Sequence, residues 1–320
     1  MIILSDLDVE RLLPMKEAVE VVEDAFRKLY EGKAKMPLRI QVNIERYKGV
    51  FLLMPAYIDE MDALATKVVS FYPENPKFGL PTVVAHVVVC DPKTGHVIAI
   101  LEANRLTAIR TGAVSGVATK HLAREDAEIL AIIGCGVQGR TQAMGVCAVR
   151  PIKEIWAYDI ARERAERYAR EMGDKLGLPV KVAASAEEAV RKADVICTAT
   201  TSKTPVVKRG WLKAGVHINA IGAFRPDMQE LDGQIIAEAK VVVDQREAAL
   251  AEAGDIIIPI KQGLITEEHI YAELGEVVSG AKPGRTSDEE ITVFKSVGLA
   301  IQDASTANYV VRKFLSGLGH

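Results

Sequence analysis

Residues Ile129-Leu-Ala-Ile-Ile133 form an apolar run that leads directly into Gly134-Cys-Gly-Val-Gln-Gly139. A strand followed by Gly-x-Gly-x-x-Gly, with a helix-compatible segment from Arg140 to Val149 behind it, is typical of a dinucleotide-binding fold. The first glycine would permit the tight turn, the second would let the backbone approach a pyrophosphate, and the third would allow close helix–strand packing. The N–H groups at the start of the helix would bind the phosphates.

An acidic residue stands where the ribose of such a cofactor needs one. The next apolar run ends Trp156-Ala-Tyr-Asp159, so Asp159 lies 20 residues beyond Gly139. A carboxylate at this spacing accepts ribose hydroxyls and repels a 2′-phosphate, which favours NAD over NADP. Arg162 and Arg164 follow closely and leave NADP open. The alternative interpretation is a glycine-rich turn that binds no ligand.

The chain around this motif alternates strands and helices. A helical stretch from about Arg105 to Leu122 precedes the motif, and the alternation after it predicts a parallel, doubly wound sheet. The predicted strands are residues 129–133, 152–158, 180–183, 195–200, 217–221 and 240–244, with helices at 161–172 and 185–192. Ser185 and Glu188 have the spacing of a capping box at the start of the second helix.

The N-terminal third has a different pattern. Apolar residues recur at helical spacing from Met15 to Leu29 and predict a helix, which Gly32 can terminate. Closely joined strand-like runs follow and indicate antiparallel pairing. These runs are residues 38–44, 50–57, 64–71, 82–91 and 96–102. A strand over 291–294 and a helix over 299–315 close the chain, and we expect that helix to return to the first domain.

Composition limits the function classes. The chain has 320 residues, 49% of them hydrophobic, and its 40 basic and 43 acidic side chains give a net charge of −3. This is enough apolar material for a sizeable core, and no basic excess points to a nucleic-acid partner. No apolar run is long enough to span a bilayer, and the acids in the first eight residues argue against a signal peptide, so we expect a cytoplasmic protein without a membrane partner.

Histidine and cysteine spacing argues against metal and hydrolase chemistry. None of the six histidines has metal-ligand spacing, no Gly-x-Ser-x-Gly occurs, and the cysteines form no Cys-x-x-Cys pair. We therefore predict no metal site, and we interpret the thiols as buried and free in a reducing compartment. The cysteines are Cys90, Cys135, Cys147 and Cys197.

Three basic residues are candidates for substrate binding. Lys67 shares one face of a predicted strand with Ala65 and Val69, and a lysine on an apolar face is costly unless it is paired or functional. The alternative is an edge-strand lysine that prevents aggregation. Arg39 and Arg110 stand in apolar surroundings, where each guanidinium could hold a carboxylate or be structural.

Several motifs in order make the chain resemble the ornithine cyclodeaminase/mu-crystallin family, which includes archaeal-type alanine dehydrogenase and cyclic-imine reductases. The resemblance covers nearly the whole chain. It rests on Met36-Pro-Leu-Arg39, Leu53-Met-Pro-Ala56, Lys67, Gly79-Leu-Pro-Thr82, Leu106-Thr-Ala-Ile-Arg-Thr-Gly-Ala113, Ile133 to Gly139, His217-Ile-Asn-Ala-Ile-Gly222 and Val297-Gly-Leu-Ala-Ile-Gln-Asp303.

The resemblance implies a substrate-binding and dimerisation α+β domain, residues 1–115 plus 299–320, and a Rossmann domain, residues 116–298. It implies a homodimer, a carboxylate grip by Arg39 and Arg110, and a contact of Lys67 with the carboxylate or the reacting nitrogen, which makes Lys67 the catalytic candidate. Val297 and Gly298 match the stretch near the nicotinamide. The residues that we assign to the cofactor are Thr111, Gly134, Gly136, Val137, Gln138, Gly139, Asp159, Arg162, Thr200, Val297 and Gly298.

One departure from the family pattern favours one reaction over another. In cyclodeaminases an aspartate stands two residues after the glycine of the Gly222 loop, whereas this chain has Phe224, which cannot pair with an ammonium. Ketimine reductases resemble the Arg-Pro-Asp form of this loop, which here ends at Asp227. We therefore expect an NAD(P)-dependent oxidoreductase that acts on the C–N bond of a small α-imino or α-amino acid, either a Δ1-pyrroline-2-carboxylate or ketimine reductase or an alanine dehydrogenase. Ornithine cyclodeaminase and a ligand-binding protein without turnover are the alternatives.

Overall fold

The computed structural model describes residues 1–317 of the chain. The chain divides into two compact units, Met1–Thr111 together with the segment from Leu299 onward, and Gly112–Gly298. The first division lies within a helix, four residues before the expected boundary at residue 115. The second lies at Gly298, between the last strand and the last helix.

The first unit combines helices with a mostly antiparallel sheet. Its elements up to the division are β1 (Ile2–Leu4), α1 (Asp6–Leu12), α2 (Met15–Tyr30), β2 (Ala34–Lys35), β3 (Ile40–Ile44), β4 (Gly49–Ile58), β5 (Ala63–Phe71), β6 (Val83–Cys90), β7 (Val97–Glu102) and α3 (Asn104–Leu122), which continues past Thr111. Helix α2 ends as predicted, with Gly32 just beyond it in the left-handed conformation at φ +72°.

The sheet of the first unit has the strand order β1-β7-β6-β5-β4-β2, and β3 also pairs with β4. All pairs are antiparallel except β1 with β7. The antiparallel prediction is therefore confirmed. The parallel strand Ile2–Leu4 was not predicted, because three residues are too few to show an alternating pattern.

The second unit alternates strands and helices. Its elements are β8 (Ile129–Ile133), α4 (Val137–Cys147), β9 (Glu154–Tyr158), α5 (Arg162–Leu176), β10 (Val180–Val182), α6 (Ala186–Lys192), β11 (Val195–Thr198), β12 (His217–Ala220), α7 (Gly233–Glu238), β13 (Lys240–Val243), α8 (Arg246–Glu252), α9 (Gly254–Lys261), β14 (Ile270–Glu273), α10 (Leu274–Val278) and β15 (Thr292–Lys295).

The strands of the second unit form one parallel sheet in the order β10-β9-β8-β11-β12-β15-β13-β14. Strands β9 and β10 lie on one side of β8, and β11 and all later strands lie on its other side. The strand order therefore reverses between β8 and β11. This is the doubly wound arrangement in which ligands bind at the carboxyl ends of the strands beside the reversal. The predicted α/β class with a Rossmann-type sheet is confirmed.

Local details of the second unit differ from the sequence prediction. Helix α4 begins at Val137, inside the glycine motif, and not at Arg140. At α6, Ser185 accepts the backbone N–H of Glu188, but the Glu188 carboxylate accepts from Ala184 and not from Ser185, so the box is only half formed. Strand β15 lies between β12 and β13, a placement that no local pattern predicts.

The last helix, α11 (Ala300–Gly317), packs against β4, β5 and α2 of the first unit. Its buried residues include polar side chains such as Gln302, Asp303 and Thr306. Burying polar groups costs free energy unless they have hydrogen-bond or charge partners. The partners of Gln302 and Asp303 are described with the candidate site below. Within residues 1–317, no helix is both long and apolar enough to cross a membrane.

Candidate active site

Lys67 lies in the centre of the first unit's sheet. Strand β5 is paired on both sides, with Lys67 opposite Met54 of β4 and Val87 of β6. Its side chain lies on the buried face with Ala65 and Val69, and it is only 2% exposed. The interpretation as an edge-strand lysine is therefore wrong, and the charge needs a partner.

A single carboxylate partners both buried cations of this unit. Asp303 of α11 places one oxygen 2.8 Å from the Lys67 Nζ and accepts a 2.9 Å hydrogen bond from the Arg110 Nε at its other oxygen. Gln302 accepts a 2.7 Å hydrogen bond from the Arg110 Nη1. All four side chains are buried, and the two cations exceed the single carboxylate by one formal charge.

This environment lowers the pKa of the Lys67 amine. Burial lowers the pKa of Lys67 to about 7, and the nearby charges of Arg110 and Arg39 act in the same direction. Asp303 opposes these effects, because a carboxylate favours the protonated amine. An amine with a pKa near 7 is suited to hold or release a proton at physiological pH.

Arg39 and Thr111 are the other residues of the first unit that were predicted for the site. Arg39 is half-buried in the segment before β3, and its charge lies close enough to Lys67 to depress the pKa of the amine. Thr111 is buried in α3, and its hydroxyl donates to the Thr107 carbonyl oxygen at 2.7 Å. The structure thus brings Lys67, Arg110 and Arg39 into one electrostatic group.

The glycine motif of the second unit forms the turn between β8 and α4. Gly134 has φ +102°, and an added Cβ there would lie 2.5 Å from the Ala199 carbonyl oxygen. An added Cβ on Gly139 would lie 2.2 Å from the Gly134 carbonyl oxygen. These two positions therefore require glycine for the fold.

Gly136 has no such structural requirement. It is exposed, and an added Cβ would meet nothing within 4 Å. It is the N-terminal cap of α4, and Val137 and Gln138 begin the helix beside it. An open backbone surface at a helix N-terminus fits a pyrophosphate, which needs close approach and N–H donors.

Asp159 lies against this turn at the end of β9. One of its carboxylate oxygens accepts from the Cys135 N–H and the other from the Ala161 N–H, both at 2.9 Å. Arg162, in contrast, is exposed and donates to Glu166 one turn along its own helix. The structure therefore places Asp159 beside the glycine turn, whereas Arg162 is paired within its own helix.

A buried acid that was not predicted from the sequence, Glu230, holds two loops at the carboxyl edge of the sheet. Glu230 accepts hydrogen bonds from the Thr200 and Gly222 N–H groups, both at 2.6 Å, and from the Thr198 hydroxyl at 2.8 Å. Burial and the neighbouring Asp255 raise the pKa of Glu230, whereas Lys295 lowers it. No local pattern marks Glu230, since it lies 30 residues from Thr200 in the chain.

Val297 and Gly298 form the turn after β15. Their N–H groups both donate to the carboxylate of Asp244, at 2.8 Å. Asp244 directly follows β13, the strand beside β15, and it is fully buried. The family resemblance pointed to this turn, whereas no sequence pattern marks Asp244 as the acid that fixes it.

The loop after Gly222 carries the departure noted in the sequence. Phe224 is half-buried, and Asp227 is exposed and paired with Arg225 at 3.1 Å and Lys203 at 2.8 Å. Asp227 is thus held in surface ion pairs and does not replace the aspartate of cyclodeaminases.

The other titratable side chains give little sign of further chemistry. Within residues 1–317, no group of three or more His, Cys, Asp or Glu residues is arranged to hold a metal ion. The four cysteines are free, and burial raises the pKa of the Cys135, Cys147 and Cys197 thiols to about 12. His217 is fully buried, and burial lowers its pKa to about 3.

Comparison with known proteins finds relatives that match nearly the whole chain. The chain is 44% identical over 314 residues to a Δ1-pyrroline-2-carboxylate reductase of Bacillus cereus, covering 98% of this chain and 96% of the relative. The solved structure of Thermococcus litoralis Δ1-pyrroline-2-carboxylate reductase with NADH and L-proline is 52% identical, with a TM-score of 0.97 over 99% of this chain and 98% of that one.

A second solved structure is similar over the same length. An archaeal alanine dehydrogenase dimer with bound NAD is 42% identical, with a TM-score of 0.94 over 99% of this chain and 97% of that one. The family model described as "Ornithine cyclodeaminase/mu-crystallin family" matches residues 1–317. The chain therefore belongs to the ornithine cyclodeaminase/mu-crystallin family.

Proposed function

We propose that this protein is an NAD-dependent oxidoreductase that reduces a small cyclic α-imino acid, with Δ1-pyrroline-2-carboxylate as the substrate and proline as the product. The observation that carries the proposal is the buried group of Lys67, Arg110 and Asp303. It has one excess positive charge, which the carboxylate of an imino acid would neutralise. The close relatives named above act on, or bind, substrates of this class.

The side chains of the first unit have separate roles in this proposal. Arg110 and Arg39 bind the substrate carboxylate, because a guanidinium can donate two parallel hydrogen bonds to it. Lys67 provides the proton that the reacting nitrogen takes up as the C=N bond becomes a C–N bond. The buried amide nitrogen of Gln302 has no hydrogen-bond partner among the described residues, and it is suited to a ligand oxygen.

The second unit holds the cofactor in this proposal. NADH, when bound, supplies the hydride that the imine carbon accepts, leaving NAD⁺. The Gly136 backbone and the start of α4 bind its pyrophosphate, and Asp159 accepts from the adenosine ribose. We expect NADH to bind more tightly than NADPH, because the carboxylate of Asp159 repels a 2′-phosphate.

Alanine dehydrogenase is the second candidate function. The archaeal alanine dehydrogenase shares 42% of its sequence with this chain, and the open-chain imine of pyruvate and ammonia also presents a carboxylate beside a C=N bond. Both reactions use the same residues, so the size of the substrate pocket decides between them.

A substrate panel tests the proposal. The purified protein is mixed with Δ1-pyrroline-2-carboxylate, or with pyruvate and ammonium, and NADH or NADPH oxidation is followed by absorbance. Faster oxidation with the cyclic imine and NADH is expected. If neither imine is reduced, the proposal is wrong. Ammonia released from ornithine without net change in cofactor absorbance would instead identify a cyclodeaminase.

We also propose a homodimer formed through the first unit. Large apolar side chains of this unit are exposed, including Ile40 and Val42 on β3 and Phe78 and Leu80 between β5 and β6. An apolar surface of this kind is typical of an interface. The archaeal alanine dehydrogenase is a dimer, which supports the proposal.

A further inference from the structure

We propose that Asp244 is a positioning residue for the nicotinamide half of the cofactor, because its carboxylate fixes the turn Ser296–Gly298 at the edge of the sheet where that half binds. The inference rests on the proposed NAD-dependent function. It adds a residue that has no recognisable sequence signal and that is not part of the glycine motif.

The sheet topology places this turn on the nicotinamide side. The phosphate-binding turn follows β8, and Asp159, the candidate ribose acceptor, follows β9. The adenosine half therefore lies over β8 and β9, and a dinucleotide that crosses the reversal of strand order extends over β11, β12 and β15. Ser296–Gly298 directly follows β15, at the same carboxyl edge.

One carboxylate defines the shape of the turn. An oxygen of Asp244 accepts from the Ser296 hydroxyl at 2.9 Å and from the Val297 and Gly298 N–H groups at 2.8 Å. Its other oxygen accepts from the Gln245 N–H at 3.0 Å. Gly298 has φ +84°, a left-handed conformation that glycine adopts without strain.

These bonds distinguish the turn from the phosphate-binding loop. The Val297 and Gly298 N–H groups are committed to a buried protein carboxylate, whereas Gly136 presents open backbone at a helix N-terminus. The turn thus contributes a fixed surface and no N–H donors for a phosphate. A fixed surface is what a planar, uncharged dihydronicotinamide ring requires for orientation.

The test compares two ligands that differ in the nicotinamide. NADH and ADP-ribose, which lacks the ring, are titrated calorimetrically against the wild-type protein and the variants Asp244→Ala and Asp244→Asn. For Asp244→Ala we expect the dissociation constant for NADH to rise about 10-fold or more, and that for ADP-ribose to change by less than about 2-fold. Asp244→Asn should lie between, because one amide oxygen can still accept the three donors of the turn while its NH₂ faces the Gln245 N–H.

Asp194 provides a matched control. Its carboxylate is also largely buried and accepts backbone N–H groups, those of Glu128 at 3.0 Å and Ile129 at 2.9 Å. It directly precedes β11, so it lies at the amino edge of the same sheet, away from the cofactor edge. Asp194→Ala should lower the melting temperature and leave the ratio of the NADH and ADP-ribose dissociation constants unchanged.

The proposal is overturned if Asp244→Ala weakens the binding of NADH and ADP-ribose by the same factor. It is also overturned if Asp194→Ala changes the ratio of the two dissociation constants as much as Asp244→Ala does. If Asp244→Ala does not fold, the same titrations are made with Asp244→Asn and Ser296→Ala. If neither variant changes the ratio of the NADH and ADP-ribose dissociation constants, the proposal is contradicted. Failure of the proposed function is a separate result. In that case the wild-type protein binds both ligands and reduces no imino acid.

Discussion

Lys67 and Arg110 are held by an acid that belongs to a distant part of the chain. Asp303 lies 193 residues from Arg110 and contacts both cations in a buried environment. Removing ions from water is costly, and one carboxylate compensates only one of the two cations. The remaining charge favours an anionic ligand, which agrees with the proposal of an α-imino acid substrate.

The pH dependence of the reaction should report Lys67. Because its pKa is about 7, the amine of the free enzyme loses its proton as the pH rises through this value. In the direction of imine reduction, kcat/KM should therefore decrease above about pH 7, by roughly tenfold per unit if the proton is essential. Initial rates with saturating NADH between pH 5.5 and 9.5, a range of about 4 units, test this.

Loss of stability would not explain such a decrease. The unfolded lysine keeps its ordinary pKa of 10.5, so between about pH 7 and 10.5 the unfolded state binds more protons than the folded state. Stability from this group therefore rises with pH over the range in which activity falls. Thermal melting at each pH separates the two effects.

Variants of Lys67 and its acidic partner provide the controls for this pH dependence. Asp303→Asn removes the charge that favours protonated Lys67, so the decrease should begin at lower pH, with lower kcat/KM. Asp62→Asn removes an exposed acid of the same unit, paired with Arg312, and should change neither. Lys67→Arg should lower kcat/KM strongly at every pH tested, because a guanidinium keeps its proton and cannot donate it to the reacting nitrogen. If the pH dependence of kcat/KM in Asp303→Asn were the same as in the wild-type protein, this account would be contradicted.

The turn between β8 and α4 shows how one sequence element serves both fold and function. Its three glycines look equivalent in the sequence, but only Gly134 and Gly139 are in close contact with backbone oxygens. Gly136 has ordinary dihedral angles, with φ −79°, and open space around it. The requirement for glycine at Gly136 is therefore expected from the ligand and not from the folded chain.

Alanine substitutions should separate these roles. Gly136→Ala should keep the melting temperature within about 2 °C of wild type but weaken NADH binding by at least about 10-fold, because the methyl group occupies the phosphate approach. Gly139→Ala should lower the melting temperature, since its Cβ would lie 2.2 Å from the Gly134 carbonyl oxygen. Thermal melting and calorimetric NADH titration of both variants test the prediction. Equal loss of stability in the two would contradict it.

Helices and strands with a clear periodicity of apolar residues were predictable from the sequence, and elements without such a periodicity were not. Strand β5 shows buried residues at every second position, and β8 was predicted with its observed bounds, Ile129–Ile133. The short strands β1 and β14 and the helices α7 to α10 were not predicted, because they are short and their stability comes from tertiary packing. The start of α4 was placed three residues late, since the glycines conceal the first helical turn.

At the scale of the whole molecule, the exposed apolar side chains of the first unit lead to the prediction of a dimer. Light scattering of the purified protein should give the mass of two chains. Changing Ile40 and Val42 together to aspartate should shift the protein toward the mass of one chain, because both side chains are about half exposed and would place charges in the interface. The substitution Ile160→Asp, at an exposed apolar residue of the second unit, is the control and should leave the mass unchanged.

The sequence was sufficient for the features that local chemistry encodes. The apolar strand, the glycine spacing and Asp159 identified the doubly wound fold and its dinucleotide motif, because each depends on residues within about one βαβ unit. Alternation on β5 was enough to mark Lys67 as an anomaly. The partners of these residues carry no such local signal. Asp303 reaches Lys67, Asp244 reaches Val297, and Glu230 joins the Thr200 and Gly222 loops only because the strand order and the returning helix bring distant carboxylates beside buried donors. A buried acid is recognised by the groups it must neutralise or accept from, and those groups are set by the fold.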